Sequence, residues 1–205
     1  IVRESTHLYA DQSRFWYSTE ANVTRVANDR AARYDEADVD AWLETRLHAE
    51  QKKRGIFGRV HACPAESSDV PDDDEARLVI LGLGAPHASG GDESTSQAMA
   101  AAREMFEHRG KSPRLNRNTV VFVAADVARL GPLRDGVRSI MAWSSICAER
   151  EALNLNMFNQ NLAEKNGADA ARTVEARLPE AFTWLIVPVQ DDPTAPVVLE
   201  ASRVS

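Results

Sequence analysis

Arg77-Leu-Val-Ile-Leu-Gly-Leu83 and Asn118-Thr-Val-Val-Phe-Val-Ala-Ala125 are two continuous apolar runs of strand length. Neither alternates with polar residues as a strand facing water does. The first is therefore expected to be buried on two faces, as in a parallel sheet covered by helices, and the second is a further strong strand. Between them lies an Ala-rich stretch, 93–109, with helical character. Upstream, Ile56-Phe-Gly-Arg-Val-His-Ala-Cys63 is β-rich and ends at Pro64. Downstream, a helix is expected from about Pro132, with Leu133, Val137, Ile140, Met141 and Ser144 on one face. Proline suits the first helical position, where its missing N–H would have no partner anyway. Residues 154–161 lead into another helix, and 168–181 read as helical. Thr183-Trp-Leu-Ile-Val-Pro-Val189 is a further strand, which Pro188 ends or places at an edge. Val197-Val-Leu199 begins a fifth. Strands alternating with helices imply crossovers. The fold class expected is α/β, a mainly parallel sheet of about four to five strands flanked by helices.

The first 54 residues read differently. An aromatic cluster, Tyr9, Phe15, Trp16 and Tyr17, precedes Asn22, a good cap for a helix carrying Val23, Val26 and Ala27 on one face. A second helix is expected from about Glu36 to Arg54, striped by Val39, Trp42, Leu43 and Leu47, and stopped at Gly55. The expected organisation is a helical extension, 1–54, on an α/β domain, 55–205.

Composition agrees with a globular chain: 43% hydrophobic and 27% charged residues are enough for a packed core. The net charge of −7 disfavours a surface that binds nucleic acid all over, though a local basic patch is compatible with it. Two cysteines, Cys63 and Cys147, lie too far apart in sequence for zinc spacing and are expected as free thiols in the cytoplasm. No apolar run reaches the ~20 residues of a membrane span, and membrane partners are not expected. The chain starts at Ile1 and ends in Leu199-Glu-Ala-Ser-Arg-Val-Ser205, which reads as an internal piece of a larger protein.

Gly110-Lys111-Ser112 matches the tail of a phosphate-binding P-loop, Gly-x-x-x-x-Gly-Lys-Ser/Thr. The first glycine would have to stand at Met105, and the preceding segment is helical, whereas a P-loop runs from strand to helix. A helix C-cap at Gly110 with a solvated lysine is the expected arrangement. Val120-Val-Phe-Val-Ala-Ala-Asp126 resembles the acid-tipped strand that holds Mg²⁺ in nucleotide-binding folds, without a second acid; Asp126 is expected to cap the next helical turn. His87 sits in the Gly-rich loop after the 77–83 strand. If the two long strands are parallel neighbours, His87 and Asp126 meet at the carboxyl edge, where α/β sheets bind ligands, and form an acid–base pair. An exposed loop histidine is the competing expectation. His61 and Cys63 alternate on a strand, too few for a metal site. The acidic loop 69–75 lacks calcium-loop spacing and is expected as a solvated turn. Arg109, Lys111, Arg114 and Arg117 form a basic run, candidates for phosphate or nucleic-acid contact.

Several segments together carry a resemblance. They are Arg14-Phe-Trp-Tyr-Ser-Thr-Glu-Ala-Asn22 with Asp29-Arg-Ala-Ala32; Val70-Pro-Asp72 with Arg77-Leu-Val-Ile-Leu81; Arg109-Gly110, Pro113-Arg114 and Arg117–Asp126; Ala142-Trp-Ser-Ser-Ile146 with Leu153-Asn-Leu155; and Trp184-Leu-Ile-Val-Pro188. In this order the chain resembles the region downstream of the ATPase core in large bacterial AAA+-type ATPases of domain-of-unknown-function family 499. The resemblance implies that the Walker motifs, with ATP and Mg²⁺, lie before Ile1, and that this piece holds no cofactor. It also implies partners: the rest of the parent ATPase, other subunits of it, and DNA and a DNA methyltransferase in anti-phage defence clusters. The function expected is a non-catalytic accessory domain serving assembly, ATPase control or DNA engagement. The alternative is a cryptic metal-dependent hydrolase or nuclease using His87 and Asp126.

Overall fold

A computed structural model describes residues 8–11, 14–17, 22–90 and 96–204. In chain order the elements are β1 (Leu8–Asp11), β2 (Arg14–Tyr17), α1 (Val23–Ala31), α2 (Glu36–Glu50), β3 (Arg59–Ala62), β4 (Arg77–Ile80) and α3 (Gln97–Glu107). There follow β5 (His108–Arg109), β6 (Ser112–Pro113), β7 (Val120–Ala124), α4 (Val127–Ala148), α5 (Met157–Ala181), β8 (Trp184–Val189) and β9 (Val198–Arg203). Contacts gather these into two compact units, residues up to Val39 with Pro132–Arg177, and Asp40–Gly131 with Leu178 onward. The division runs through α2, α4 and α5.

The second unit is built on the sheet β3-β4-β7-β8-β9. β3, β4 and β7 pair in parallel, while β8 is antiparallel to β7 and to β9. Four of the five strands therefore point the same way, and the fold is α/β. Both apolar runs supply strands, with one face fully buried: Val79 and Leu81 from one, and Val120, Phe122 and Ala124 from the other, are at most 1% exposed, while Leu78, Ile80, Val121 and Val123 on the alternate face are half-buried. α3 lays Ala98, Met99, Ala102, Met105 and Phe106 on this core, the i, i+3, i+4 stripe of an amphipathic helix. Ser96 caps α3 by accepting the Met99 N–H at 3.3 Å. Residues 93–95 of the expected helix lie outside the described residues.

One member of the apolar run is a surprise. Arg77 is 3% exposed. Its guanidinium forks onto the Asp73 carboxylate, with Nε donating to Oδ1 at 2.9 Å, and Nη1 lies 3.2 Å from His61 Nε2. The acidic loop is thus wired into the fold and is no solvated turn: Asp72 accepts the N–H groups of Leu115 and Asn116 at 2.7 and 2.9 Å. Burial, then the charges of Arg77 and Arg59, hold His61 below its ordinary value of 6.5. The unfolded chain takes up this proton as pH falls past that value while the folded one resists. The His61 contribution to stability is therefore complete above pH 6.5 and is lost below it. The midpoint of thermal unfolding is expected to fall more steeply in the wild type than in His61→Gln between about pH 7.5 and 5.5, a window above the carboxylate range.

The first unit packs Val23 and Ala27 of α1 with Trp143 and Ile146 of α4 and Ala163 of α5. Asn22 caps α1, its side-chain oxygen accepting the Thr24 and Arg25 N–H groups. Arg30 ties α1 to α4 through Ser145 Oγ and Glu149, each at 2.8 Å. β1 and β2 form an antiparallel pair that the sequence reading placed in a helical preface. α2 stops at Glu50, ahead of the basic triplet 52–54. α4 begins five residues before the expected start, so Pro132 is interior. The start is set instead by Asp126, whose carboxylate caps the Ala128 N–H. Stretches 154–161 and 168–181 merge into α5, which runs through Gly167. A Cβ on Gly136 would meet Val174 Cγ2 at 2.7 Å, whereas one on Gly167 would make ordinary contact with Trp143 Cβ at 3.4 Å. Val174 is β-branched and stiff in a helix, so it yields little. Gly136→Ala is expected to lose about 1 kcal/mol net, overpacking exceeding the gain in helix propensity, and Gly167→Ala to gain roughly 0.5–1 kcal/mol. Urea midpoints would show the opposite signs.

Candidate functional site

β4 and β7 are parallel neighbours, and past their carboxyl ends His87 bridges Asp126. The His87 N–H donates to Ala125 O at 2.8 Å and the His87 carbonyl accepts the Val127 N–H at 3.0 Å. The sequence thus places the two candidate groups at one edge because the short Gly-rich loop carries the chain back to the rim of the next strand. The histidine is not exposed, as the competing expectation had it. It is 5% exposed, with its ring edge-on to Trp184 at 4.5 Å between centroids and Nδ1 hydrogen-bonded to Ser96 Oγ at 2.8 Å. Asp126 is 4% exposed. Its Oδ1 accepts the Ala128 N–H at 2.9 Å and its Oδ2 accepts from Arg203 Nη2 at 3.1 Å. The cap reading of Asp126 is what the geometry contains.

A helix N-terminus can hold phosphate when its first N–H groups are free. Here the first three of α4 are taken: Val127 by His87 O, Ala128 by the Asp126 carboxylate, and Arg129 by Asp126 O at 2.9 Å. The carboxyl end of α5 meets the same spot. Its orphan carbonyls are served by the Asp126 N–H, donating to Ala181 O at 2.7 Å, and by Arg129 Nη1, donating to Glu180 O at 2.9 Å. Beside this knot opens a cleft of about 650 Å³, lined by Arg129, Pro179, Glu180, Phe182, Thr183, Arg203 and Val204. The Arg203 guanidinium leans over the Trp184 ring at 6.0 Å.

The basic run separates into two kinds of residue. Arg114 is 2% exposed, and its fork donates to three backbone carbonyls: Nε to Met105 at 2.7 Å, Nη1 to Pro71 at 2.9 Å and Nη2 to Val70 at 2.9 Å. Burial lowers its pKa, and the neighbouring Asp72 opposes that shift. Buried and with three of its five donors committed to backbone carbonyls, Arg114 is not presented at the surface, where the sequence reading had counted it as a phosphate contact. Arg109, Lys111 and Arg117 are exposed. Gly110 and Lys111 form the two-residue turn of the β5–β6 hairpin, not a helix C-cap. Gly110 has φ +57°, a value that glycine adopts without strain, and its N–H donates to Ser67 Oγ at 3.0 Å. The run here is helix to hairpin, not strand to helix. Arg117 lies over Phe106, 5.7 Å from the ring centre.

His61 and Cys63 do not form a face together, since β3 ends at Ala62 and Cys63 adopts φ +48°. Burial, with Glu44 nearby, pushes the Cys63 thiol up to about 12, so it stays protonated and unreactive near neutral pH. Among the described residues no group of three or more His, Cys, Asp or Glu is placed to hold a metal ion, and no helix is long and apolar enough to cross a membrane. Sequence reasoning missed Ser96, Arg129, Trp184 and Arg203. Their only local signals were a serine before an apolar helical stripe and a tryptophan opening a strand; the arginines carry none, because they reach the site by strand pairing and helix ends. Comparison with protein-family models, curated proteins and solved structures finds no match for this chain.

Proposed function

We propose that this chain is a non-catalytic accessory domain of a large AAA+-type ATP-binding protein. On this reading it stands downstream of the ATPase core, in the cytoplasm, and serves assembly, control of hydrolysis or engagement of DNA. The observation that carries the non-catalytic part is the closure of the sheet edge. Both Asp126 oxygens and the first three N–H groups of α4 are already bonded. At this edge the described residues leave none of the first three α4 N–H groups free for a nucleotide phosphate, which supports the reading that ATP and Mg²⁺ belong to the core of the parent. The outward chemistry of the domain is the exposed cations Arg109, Lys111 and Arg117 at and beside the β5–β6 hairpin. These suit phosphates of DNA or an acidic surface on the parent, on another subunit or on a DNA methyltransferase.

The test is the parent protein carrying Arg109→Ala, Lys111→Ala and Arg117→Ala together, all surface changes. ATP turnover, oligomer mass and DNA affinity are then measured at several salt concentrations. If the hairpin contacts DNA, affinity falls and the salt dependence becomes shallower by about one for each phosphate contact removed. If all three readouts are unchanged, the hairpin has no part in the function. One observation favours a second reading, a metal-dependent hydrolase or nuclease: His87 and Asp126 do converge beside a cleft. DNA cleavage by this chain that Asp126→Asn abolishes would establish it, since asparagine preserves the cap.

A further inference from the structure

We infer that the cleft at the carboxyl end of the sheet binds a small carboxylate with a flat apolar body. Its volume of about 650 Å³ lies within the range of small-molecule sites. The lining supplies the two halves of such a ligand's complement. Pro179, Phe182 and Val204 offer an apolar wall, and Arg129 and Arg203 offer guanidinium forks. Both arginine side chains are close to half exposed, 42% and 45%. Among the described residues each spends a single terminal nitrogen on the protein, Arg129 on Glu180 and Arg203 on Asp126. A guanidinium has five N–H donors, so both retain donors directed elsewhere.

The pairing to Asp126 and the face of Trp184 fix where Arg203 stands, so little freedom is lost when it takes up a ligand oxygen. A carboxylate is favoured over a phosphate group. The backbone donors that would wrap a phosphate are closed off at α4, whereas a planar carboxylate needs only the forks. Thr183 also lines the cleft, but its hydroxyl is buried, with no hydrogen-bond partner among the described residues, and is not offered to a ligand. The formal charge around the cleft is balanced, Arg129 and Arg203 against Glu180 and Asp126. Charge alone would therefore not gather anions here; the apolar wall has to contribute.

The probes are 2-naphthoate, the neutral 2-naphthalenemethanol and inorganic phosphate, followed by calorimetric titration and thermal shift on the whole chain. Naphthoate is expected to bind saturably at roughly millimolar concentration or tighter and to raise the unfolding temperature. The alcohol and phosphate are each expected to bind at least about tenfold more weakly, since each lacks one half of the recognition. Arg129→Gln and Arg203→Gln should each weaken naphthoate by about tenfold, and Arg109→Gln, on the hairpin, should not. Arg203→Lys keeps the charge beside Asp126 and loses the fork; it should remain folded and bind with intermediate strength. No saturable naphthoate binding by folded protein would overturn the inference. So would equal binding of the alcohol, tighter binding of phosphate, or unchanged affinity in the folded Arg203→Lys and Arg129→Gln variants. None of these outcomes bears on the hairpin cations, so the accessory-domain reading stands or falls separately.

Discussion

Arg114→Ala is expected to destabilise the protein by about 3–5 kcal/mol, the scale on which a buried, hydrogen-bonded charge is removed from its partners. The side chain satisfies the carbonyls of Met105, Val70 and Pro71 at once. Truncation leaves three acceptors facing a cavity in the place of a long side chain. For a chain of this size the unfolding temperature should fall by roughly 10 °C. Arg114→Lys should recover only part, because an ammonium cannot reach three acceptors set around a planar fork. Thermal unfolding followed by circular dichroism checks both. A phosphate-contacting arginine would behave in the opposite way, leaving stability unchanged and weakening a ligand.

His87→Ala is expected to cost about 2–3 kcal/mol, through the cavity it leaves and the lost edge-on contact with Trp184. Ser96, which caps α3, loses its partner as well, so α3 should fray at its start. An exposed loop histidine would give a change within about 0.5 kcal/mol. Urea unfolding separates the two, and hydrogen exchange at Met99 reports on the cap.

The sheet was legible because its evidence is local. The runs at 77–83 and 118–125 are strands by composition alone, and their parallel pairing follows from the helical stretch between them. The convergence of His87 and Asp126 was legible for the same reason, as a consequence of two adjacent parallel strands. What the sequence withheld was the state of those groups. Whether Asp126 is free depends on Arg203, 77 positions later along the chain. Whether Arg114 is free depends on carbonyls of Val70 and Pro71, 44 and 43 positions earlier. No periodicity carries such pairings. Pro132 misled because proline at a first helical turn is the common case, while the true start was set by the Asp126 cap six residues upstream of it. Arg77, counted at the head of an apolar run, is a charge buried by its fork onto Asp73, a pairing no local pattern announces.

The central claim is that the edge holding His87 and Asp126 is a structural knot and not a reacting pair. Incubation of the purified chain with supercoiled plasmid and single-stranded DNA in the presence of magnesium, manganese or zinc tests it directly. Both substrates are expected to remain intact over hours at micromolar protein. Cleavage that disappears in a folded Asp126→Asn variant would contradict the account and make the sheet edge an active site.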